Sequence, residues 1–407
     1  MNIQIINMRN DIQKKSILII VENLPLPFDR RVWQECIALK ENGYNVYAIC
    51  PTGKGFEEKY QNIQGVHIYR HPLPYEASGI LGYFMEYSTA LMWEFYLSLK
   101  IWKKHGFDVI QACNPPDLIF LVGMFFKYFL GKKFIFDHHD INPELYLAKF
   151  GRKDIFYNIL IYLERITFKI AYYSIATNNS YRKIAIERGK MPPEKIAVVR
   201  SGPNLQRLRP SQPQIAWKNG RTYLVGYVGV MGQQEGIDHL LKAAEILIRK
   251  KKRTDVQFVL VGDGTEYMKL KELCTQLRLN AFVTFTGRVP DDVLIEVLCT
   301  TDICINPDIA NDMNNKSTMN KIMEYMAFGK PIVQYDLVEG RYSAGKASVY
   351  AQPNNIQDLA DKISLLLDDP ERRKIMGEYG YERVFNELHW GIESQKYISL
   401  YKIALFS

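Results

Sequence analysis

Apolar residues along this chain occur in two alternating patterns, short continuous runs and longer stretches with helical spacing. Ile17–Val21 is a continuous run, which is typical of a parallel strand covered on both faces. Arg30–Asn42 has apolar residues at helical spacing, and Gly43 ends this predicted helix. The same order continues through the first half, where we predict further strands at Val46–Cys50, Asp108–Gln111, Lys133–Asp137, Ser174–Ala176 and Lys195–Val199.

Ser201–Arg221 interrupts this pattern, because it contains three prolines and little apolar periodicity. We interpret it as a linker, after which the alternation restarts. Strands are predicted at Tyr223–Val228, Val256–Val261, Ala281–Phe285, Ile303–Asn306 and Pro331–Gln334, and helices at Ile237–Arg249, Glu266–Leu279, Asp292–Thr300, Asn320–Phe328, Ile356–Leu367 and from Trp390. Two such alternating series predict an α/β fold with two Rossmann-like domains, whose parallel sheets face a central cleft. Ligands of such sheets bind at the carboxyl ends of the strands.

Composition narrows the class of protein. With 407 residues, the chain is too long for one ordinary hydrophobic core. Its composition, with 47% hydrophobic and 24% charged residues, excludes both a membrane-embedded bundle and a disordered chain. Six cysteines without a CxxC pair indicate reduced thiols rather than disulfides or a zinc site. Without a signal peptide or a transmembrane run, we expect a cytoplasmic location. Residues 1–200 hold 26 basic and 19 acidic side chains, whereas the remainder is nearly balanced.

In the first half, candidate chemistry lies where the strand Lys133–Asp137 ends. His138, His139 and Asp140 follow directly, which places polar side chains at a carboxyl end. A structural role and a functional role are both open for these histidines. A metal is less favoured, because no third or fourth ligand is spaced nearby. Arg30 and Arg31, at a helix start that disfavours cations, are further candidates for the cleft.

In the second half, glycines and one helix start point to a phosphate. Gly229–Gly236 has three glycines before a predicted helix, which suits a phosphate at a helix N-terminus, although a plain turn explains it too. Val261–Gly264 is a second glycine-containing strand end. The strongest feature is Asn314–Lys330, in which a polar loop feeds a helix. Its start, Ser317–Asn320, offers N–H groups, and Glu324 lies one turn further, where it could accept ribose hydroxyls.

These segments together resemble the family-4 glycosyltransferases of the GT-B fold, most closely the bacterial branch that builds surface polysaccharides. The resemblance covers nearly the whole chain and is carried by PFDRRVWQE, DHHD, SGPNLQRLRP, GVMGQQEG, VGDG, FTGRVP and NKIMEYMAFGKPIVQYDLVEGR. It implies a retaining, metal-independent transfer from a nucleotide-sugar, usually a UDP-sugar, to a saccharide or polyprenyl-diphosphate-linked acceptor. It implies an acceptor domain at 1–205, a donor domain at 206–385, and a helix at 386–407 packing back on the first domain.

The resemblance also implies roles for individual residues. Glu324 would bind the ribose, and His139 would approach the donor sugar near the reacting carbon, with Asp140 beside it. Arg30, Arg31 and His138 would line the acceptor side. The remaining donor-binding residues would surround the diphosphate and the base: Gly229, Gly232, Gly262, Gly264, Arg288, Ser317, Thr318, Met319 and Asn320.

The chain departs from the family pattern at three positions. Val230 and Glu235 stand where the family commonly has Arg and Lys, and Lys316 replaces the first glutamate of the pair that ends at Glu324. We hypothesise that Lys316 or Lys321 supplies the diphosphate cation instead. Alternatively, the loop Asp308–Asn315 brings Asp308 or Asp312 into the role of the first glutamate.

The aromatic segments of the first half leave a membrane question open. These segments either only pack against the sheet or also contact an anionic membrane surface: Gly79–Trp102, Phe125–Phe136 and Phe156–Tyr173. The excess of basic side chains in the first half would serve such a surface or an anionic acceptor rather than nucleic acid. Two other functions remain as alternatives: a sugar-nucleotide epimerase of the same fold, and a degenerate transferase that binds sugar nucleotide without turnover.

Overall fold

The structure is a computed structural model that describes residues 15–53, 55–72 and 79–406. The chain divides into two compact units. Unit 1 comprises Met1–Leu147, Arg152–Val199 and Ser394–Ser407, and unit 2 comprises Ala148–Gly151 and Arg200–Glu393. The division therefore falls before Arg200 and after Glu393, where the sequence predicts boundaries at 205 and 386.

Unit 1 is built on an eight-stranded sheet. Its strands are β1 (Ser16–Ile20), β2 (Asn45–Pro51), β3 (Tyr60–Ile63), β4 (Val66–His71), β5 (Val109–Cys113), β6 (Lys133–His138), β7 (Tyr173–Ala176) and β8 (Ile196–Val198). The sheet order is β3-β4-β2-β1-β5-β6-β7-β8, and every pair is parallel except the hairpin β3–β4. The central strands β1 and β5 are buried throughout, which explains their continuous apolar sequences.

Helices connect these strands as crossovers, as parallel pairing requires. They are α1 (Arg30–Glu41), α2 (Gly79–His105), α3 (Phe120–Leu130), α4 (Asn142–Phe150), α5 (Ile155–Ile170) and α6 (Asn179–Glu187). Asp29 directly precedes α1, and its carboxylate accepts from the N–H of Val32 and caps the helix. Across the described part of the chain, none of the helices combines the length and apolar character needed to span a lipid bilayer.

Unit 2 has a six-stranded, fully parallel sheet in the order β11-β10-β9-β12-β13-β14. The strands are β9 (Tyr223–Val228), β10 (Val256–Val261), β11 (Val283–Gly287), β12 (Ile303–Asn306), β13 (Ile332–Tyr335) and β14 (Ser348–Ala351). The helices are α7 (Ile237–Glu245, continued by a π turn at Ile246–Lys250), α8 (Tyr267–Gln276), α9 (Asp291–Thr300), α10 (Asp312–Lys316), α11 (Asn320–Ala327), α12 (Val338–Ala344), α13 (Ile356–Leu367) and α14 (Pro370–Arg383).

Two apolar cores cover the two faces of this second sheet. One contains α7 and α13, and the other contains α9 and α11. The predicted α/β class with two parallel-dominated, Rossmann-like units is confirmed. The sequence did not predict the hairpin β3–β4, the strand β14 or the helices α10, α12 and α14.

The last helix, α15 (Trp390–Phe406), follows a π turn at Val384–Leu388, and its residues from Ser394 onward belong to unit 1. Tyr397 and Tyr401 are fully buried there. Both hydroxyls donate to the side-chain oxygen of Gln111 on β5, Tyr397 at 2.8 Å. The helix therefore contributes polar contacts, as well as apolar ones, to the interior of unit 1.

Candidate active site

A buried charge cluster lies at the carboxyl end of the sheet of unit 1. We call it the arginine cluster: Arg31, Glu35, Gln111, Asp137 and His139. The guanidinium of Arg31 contacts both carboxylates: its Nη2 lies 3.3 Å from Asp137 Oδ1, and its Nε lies 3.1 Å from Glu35 Oε1. Its Nη1 donates to the carbonyl of Val199. Gln111 donates to Glu35 at 2.8 Å and to Asp137 at 3.0 Å. One cation thus serves two buried carboxylates, which explains why an arginine occupies the first turn of α1.

His139 is held against this cluster by its ring and its backbone. Its Nε2 lies 2.8 Å from Asp137 Oδ2 and 3.0 Å from Arg31 Nε. Burial alone would lower the pKa of His139, but the charge of Asp137 and the hydrogen bond to it raise the pKa. We therefore assign Nε2 as a donor to Asp137, and Arg31 Nε then forms an ion pair with Glu35 at 3.1 Å rather than a hydrogen bond to His139. Asn114 fixes the following turn, because its Oδ1 accepts from the N–H groups of His139 and Asp140.

His138 differs from its neighbour and does not belong to the site. Its side chain is fully buried among the rings of Phe136, Phe168 and Tyr181. Burial lowers the pKa of His138 to about 3, so the ring is neutral at ordinary pH. The predicted acceptor-side role for His138 is therefore corrected: alternation along β6 turns this side chain into the core.

Cys113 is a potential metal ligand that the sequence reasoning missed, because it ends the neighbouring strand β5. Cys113, Asp137 and His139 bring donor atoms within 4.8 Å of one another. Burial raises the pKa of the Cys113 thiol well above its ordinary value, so the thiolate that a metal requires is disfavoured. Arg31 already supplies a positive charge to Asp137. The donor set of this group therefore fits a metal ion poorly.

Unit 2 has a second charge cluster at the carboxyl ends of β9 and β12. We call it the lysine cluster: Tyr227, Glu235, Asp308 and Lys321. Lys321, in the first turn of α11, places Nζ 2.8 Å from Asp308 Oδ1 and 5.0 Å from the centre of the Tyr227 ring. Burial would lower the pKa of Lys321, but the charge of Asp308 raises it, so the ammonium group stays charged.

The loop Gly229–Gly236 packs against the lysine cluster. Tyr227 donates its hydroxyl to the carbonyl of Val230 at 2.6 Å, and the Glu235 carboxylate accepts from the N–H of Gly232 at 3.1 Å. A side chain at Gly229 would contact both Tyr227 and Lys321. Glu235, at a position where the family commonly has lysine, therefore fixes the loop, and the nearby cation comes from Lys321.

Gly262 and Gly264 serve the packing of two loops. Gly262 has φ of 136°, and a Cβ there would overlap the carbonyl oxygen of Gly229. A Cβ at Gly264 would overlap the carbonyl of Met231. These two glycines thus let the loop after β10 stack on the loop after β9. Arg288, after β11, is exposed.

The predicted diphosphate turn, Ser317–Asn320, directly precedes and begins α11. Ser317 donates its hydroxyl to the carbonyl of Met313, and Thr318 Oγ1 accepts from Arg200 at 3.4 Å. Arg200 is buried and also pairs with Glu339 at 3.1 Å. The sequence reasoning missed Arg200, because it directly precedes the predicted linker Ser201–Arg221 and lies far from α11 along the chain.

Buried and half-buried contacts hold α11 at its position. The Tyr325 hydroxyl accepts from the N–H of Val228 at 2.9 Å, which ties the helix to the end of β9. Met319 starts the helix, and its side chain offers no strong acceptor for the helix N–H groups. Glu324 lies one turn in and accepts from Arg207 Nη2 at 2.6 Å, and Arg207 also contacts Asp291.

Of the two lysines proposed as the displaced cation, Lys321 lies against the glycine loop, with its Cε 3.4 Å from the position of a Cβ at Gly229. Lys316 instead pairs with Asp312 at 2.7 Å within the short helix α10. Lys316 and Asp312, which the sequence offers as alternatives, therefore form an ion pair with each other, and Asp308 is an ion-pair partner of Lys321. The structure brings Lys321, Asp308, Gly229 and Glu235 together in one cluster, and it places Lys316 and Asp312 in a second pair.

Comparison with known proteins matches both halves of the chain to glycosyltransferase families. The family model described as Glycosyltransferase Family 4 matches residues 29–207, and the model described as Glycosyl transferases group 1 matches residues 209–383. Alpha-D-kanosaminyltransferase of Streptomyces kanamyceticus is 28% identical over 38% of this chain, a stretch that spans only 39% of that relative. An uncharacterized glycosyltransferase of Methanocaldococcus jannaschii is 22% identical and aligns over 90% of this chain and 92% of its own length.

A third relative is named for a lipid-linked acceptor. N,N'-diacetylbacillosaminyl-diphospho-undecaprenol alpha-1,3-N-acetylgalactosaminyltransferase of Campylobacter jejuni is 26% identical over 59% of this chain and 62% of its own length.

Solved structures share the fold at low identity. Sucrose-phosphate synthase from Thermosynechococcus elongatus superposes with a TM-score of 0.81 over 97% of this chain and 100% of its own, at 18% identity. Anabaena HepE in complex with UDP-glucose superposes with a TM-score of 0.70 over 95% of this chain and 99% of its own, at 16% identity. The resemblance to family-4 glycosyltransferases of the GT-B fold is confirmed, and the matched models are transferases rather than epimerases. The chain belongs to the family-4 glycosyltransferases and has the GT-B fold.

Proposed function

We propose that this glycosyltransferase moves a hexose from a nucleotide-sugar, most simply a UDP-sugar, to a saccharide or lipid-linked acceptor in cell-surface polysaccharide synthesis. The structural neighbour HepE was solved with UDP-glucose, and the Campylobacter relative is named for an undecaprenol-linked acceptor. We further propose that transfer proceeds with retention, without a metal ion, and in the cytoplasm.

The observation that carries the proposal is the composition of the first two turns of α11. Lys321 in the first turn lies against the loop at Gly229, and Glu324 lies three residues further along the same helix. A diphosphate at this helix start would meet backbone N–H groups, the positive end of the helix dipole and one ammonium group. A ribose one turn further along would meet the Glu324 carboxylate. Arg207, whose Nη2 lies 2.6 Å from Glu324 Oε1, would hold that carboxylate in place.

The chemistry that this arrangement supports is departure of a diphosphate. Negative charge develops on the leaving phosphate as the bond to the sugar breaks, and Lys321 with the helix amides would stabilise that charge. With retention, the acceptor hydroxyl attacks the face that the diphosphate leaves and passes its proton to the departing phosphate oxygen. In unit 1, we assign His139 to the neighbourhood of the reacting carbon, with Asp137 and Arg31 as positioning residues.

Calorimetry with UDP and uridine tests the ribose role of Glu324. Because a hydrogen bond to a charged group contributes about 1.5–3 kcal/mol, Glu324→Ala should weaken both ligands by roughly 10–100-fold. Glu378→Ala, an exposed glutamate on α14, is the matched control and should leave both affinities unchanged. If the Glu324 variant bound UDP and uridine as tightly as the unchanged protein does, the ribose role would be refuted.

Turnover assays then separate the candidate functions. Slow release of UDP from one member of a UDP-sugar panel, without an acceptor, supports a transferase with that donor. Tight binding without any release supports the degenerate alternative. If the chain binds no UDP and releases none from any sugar, the proposed donor class is wrong.

A further inference from the structure

Three neighbouring helices of unit 1 expose an unusual number of large apolar side chains. α3 packs beside α5 on one side and beside α2 on the other. Helices that cover a sheet normally turn polar residues outward. On α3 and α5, however, six large side chains are at least 45% exposed, and we call them the apolar face: Tyr128, Phe129, Ile155, Phe156, Ile159 and Tyr162.

The spacing along α5 shows that this exposure is a continuous stripe rather than scattered residues. Ile155, Ile159 and Tyr162 follow one another at intervals of four and three, so they lie on one side of the helix. The opposite side of α5 buries Thr167 and Phe168 in the core. On α2, Met92 and Tyr96 extend the exposed apolar surface beyond α3. Contiguous apolar patches of this kind mark interaction sites.

The exposed charges around the apolar face are mostly basic, although Asp154 at the start of α5 pairs with Arg152 at 2.9 Å. α3 contains no carboxylate, and the only one in α5, Glu164, is buried and paired with Arg188 at 2.6 Å. Exposed basic side chains flank the stripe of α5 at both ends: Arg152 and Lys153 before it, Arg165 and Lys169 after it. The last turn of α2 adds exposed Lys103 and Lys104. A partner of this surface must therefore combine an apolar interior with negative charge at its edge.

A basic cavity adjoins the stripe where α5 ends. It has a volume of about 360 Å³, and Arg165, Lys169, Lys190 and Lys195 line it together with Phe168. Lys195 and Lys133 both lie over the ring of Tyr172, at 5.2 and 4.9 Å from its centre. This cavity precedes β7 and β8, so it lies at the amino edge of the sheet, opposite the edge that holds the arginine cluster. It is therefore separate from the candidate active site.

We infer that the apolar face docks unit 1 on the surface of an anionic phospholipid bilayer, with the basic cavity receiving a lipid phosphate. Amphipathic helices with aromatic residues on one side and cations along the rim bind membranes in this way, through apolar insertion and attraction to anionic lipid. Tyrosine and phenylalanine suit the boundary between headgroups and acyl chains. A second copy of the chain fits less well, because a twofold contact would bring the two basic rims together.

Vesicle sedimentation of the full chain tests this inference. At low salt, we expect at least about tenfold more protein bound to vesicles that contain one third phosphatidylglycerol than to pure phosphatidylcholine vesicles, with most of this binding lost at high salt. Phe129→Ser with Ile159→Ser should lower binding to anionic vesicles about tenfold through lost insertion. Arg165→Glu with Lys169→Glu should lower it at least as much through charge repulsion.

The matched control is Ile375→Ser with Tyr381→Ser, which removes equally exposed apolar side chains from α14 of unit 2 and should leave binding unchanged. Equal binding to neutral and anionic vesicles, or equal binding by all variants, overturns the inference. A dimer in analytical ultracentrifugation that Phe129→Ser with Ile159→Ser dissociates also overturns it, because the apolar face would then contact a second copy. The UDP affinity should remain unchanged in every variant, so this result is independent of the proposed reaction.

Discussion

The arginine cluster and the lysine cluster both place a cation beside buried carboxylates at the carboxyl end of a parallel sheet. In the arginine cluster, Glu35 and Asp137 have no exposed surface, and Gln111 links them to two tyrosines of α15. In the lysine cluster, Lys321 borders a glycine loop whose Val230 is 62% exposed. The two cations are buried to a similar extent, since the side chain of Arg31 is 10% exposed and that of Lys321 is 12% exposed. We infer that the first arrangement stabilises the fold and positions His139, whereas the second binds a ligand beside the glycine loop.

The largest expected effect is the loss of stability when the arginine cluster is broken. Arg31→Met leaves two carboxylates buried without their cation, which typically costs about 3–5 kcal/mol. Native-state hydrogen exchange in urea should show this loss in the amides of β5 and β6. Protonation of Glu35, whose pKa burial raises, should reduce the loss as the pH falls.

Arg30→Met is the matched control, because Arg30 is the neighbouring residue and is exposed. We expect a change within about 0.5 kcal/mol. Similar losses in the two variants would show that the buried contacts of Arg31 are not what stabilises unit 1.

The second prediction asks whether the lysine cluster also binds a ligand. Lys321→Met should lower UDP affinity at least about tenfold, because a charged contact to the diphosphate is lost, and should affect uridine much less. It should also destabilise unit 2 by about 3 kcal/mol, because Asp308 is left buried alone.

The double variant Lys321→Met with Asp308→Leu separates these two effects. Replacement of a buried ion pair by apolar side chains is often neutral for stability, so the free energy of unfolding should recover while UDP affinity does not. Recovery of both quantities would mean that the two clusters have the same structural role.

The third and smallest expected effect is a loss of stability of unit 1 at acid pH. His138 has a pKa of about 3 when folded and about 6.5 when unfolded, so between these values the unfolded chain binds a proton that the folded chain does not. Stability of unit 1 should therefore fall by about 2 kcal/mol between pH 7 and pH 5 from this group alone. His138→Phe, which fits the surrounding aromatic rings, should remove this part of the loss.

Hydrogen exchange at both pH values checks the third prediction, with the amides of unit 2 as an internal reference. A loss of the same size in His138→Phe would assign the acid sensitivity to other groups. His139 acts in the opposite sense: its pKa is raised in the fold, so its stabilising contribution is present below its unfolded pKa of about 6.5 and is lost as pH rises through the folded value.

Sequence patterns predicted those elements whose burial is regular. β9, β10 and β12 have the predicted bounds, because continuous apolar runs define strands covered on both faces. The hairpin β3–β4 was missed, since β3 is largely exposed and its sequence YQNI is not an apolar run. α14 was missed because it has few buried residues and hence a weak apolar stripe.

The candidate site was predictable where its residues are neighbours in sequence, and not where distant segments meet. Ser317–Glu324 belongs to one motif, so its position at a helix start followed from local spacing. Arg200, however, contacts Thr318 across more than a hundred residues, and Tyr401 contacts Gln111 across still more. The strand pattern identified Asp137 and the histidines after it, and the structure adds that His138 is the last residue of β6 and packs in the core, whereas His139 follows the strand and contacts Asp137.

The contacts of α15 have a consequence for how the protein is made. A ribosome releases all eight strands of unit 1 before Arg200–Glu393 of unit 2, but Tyr397 and Tyr401 emerge only after unit 2 has been synthesised. Until then, Gln111 lacks the two hydroxyl donors that it has in the finished molecule. Domains usually fold in order during synthesis. Here the first unit to emerge is completed last, and a nascent chain that stalls inside unit 2 carries an unfinished interior.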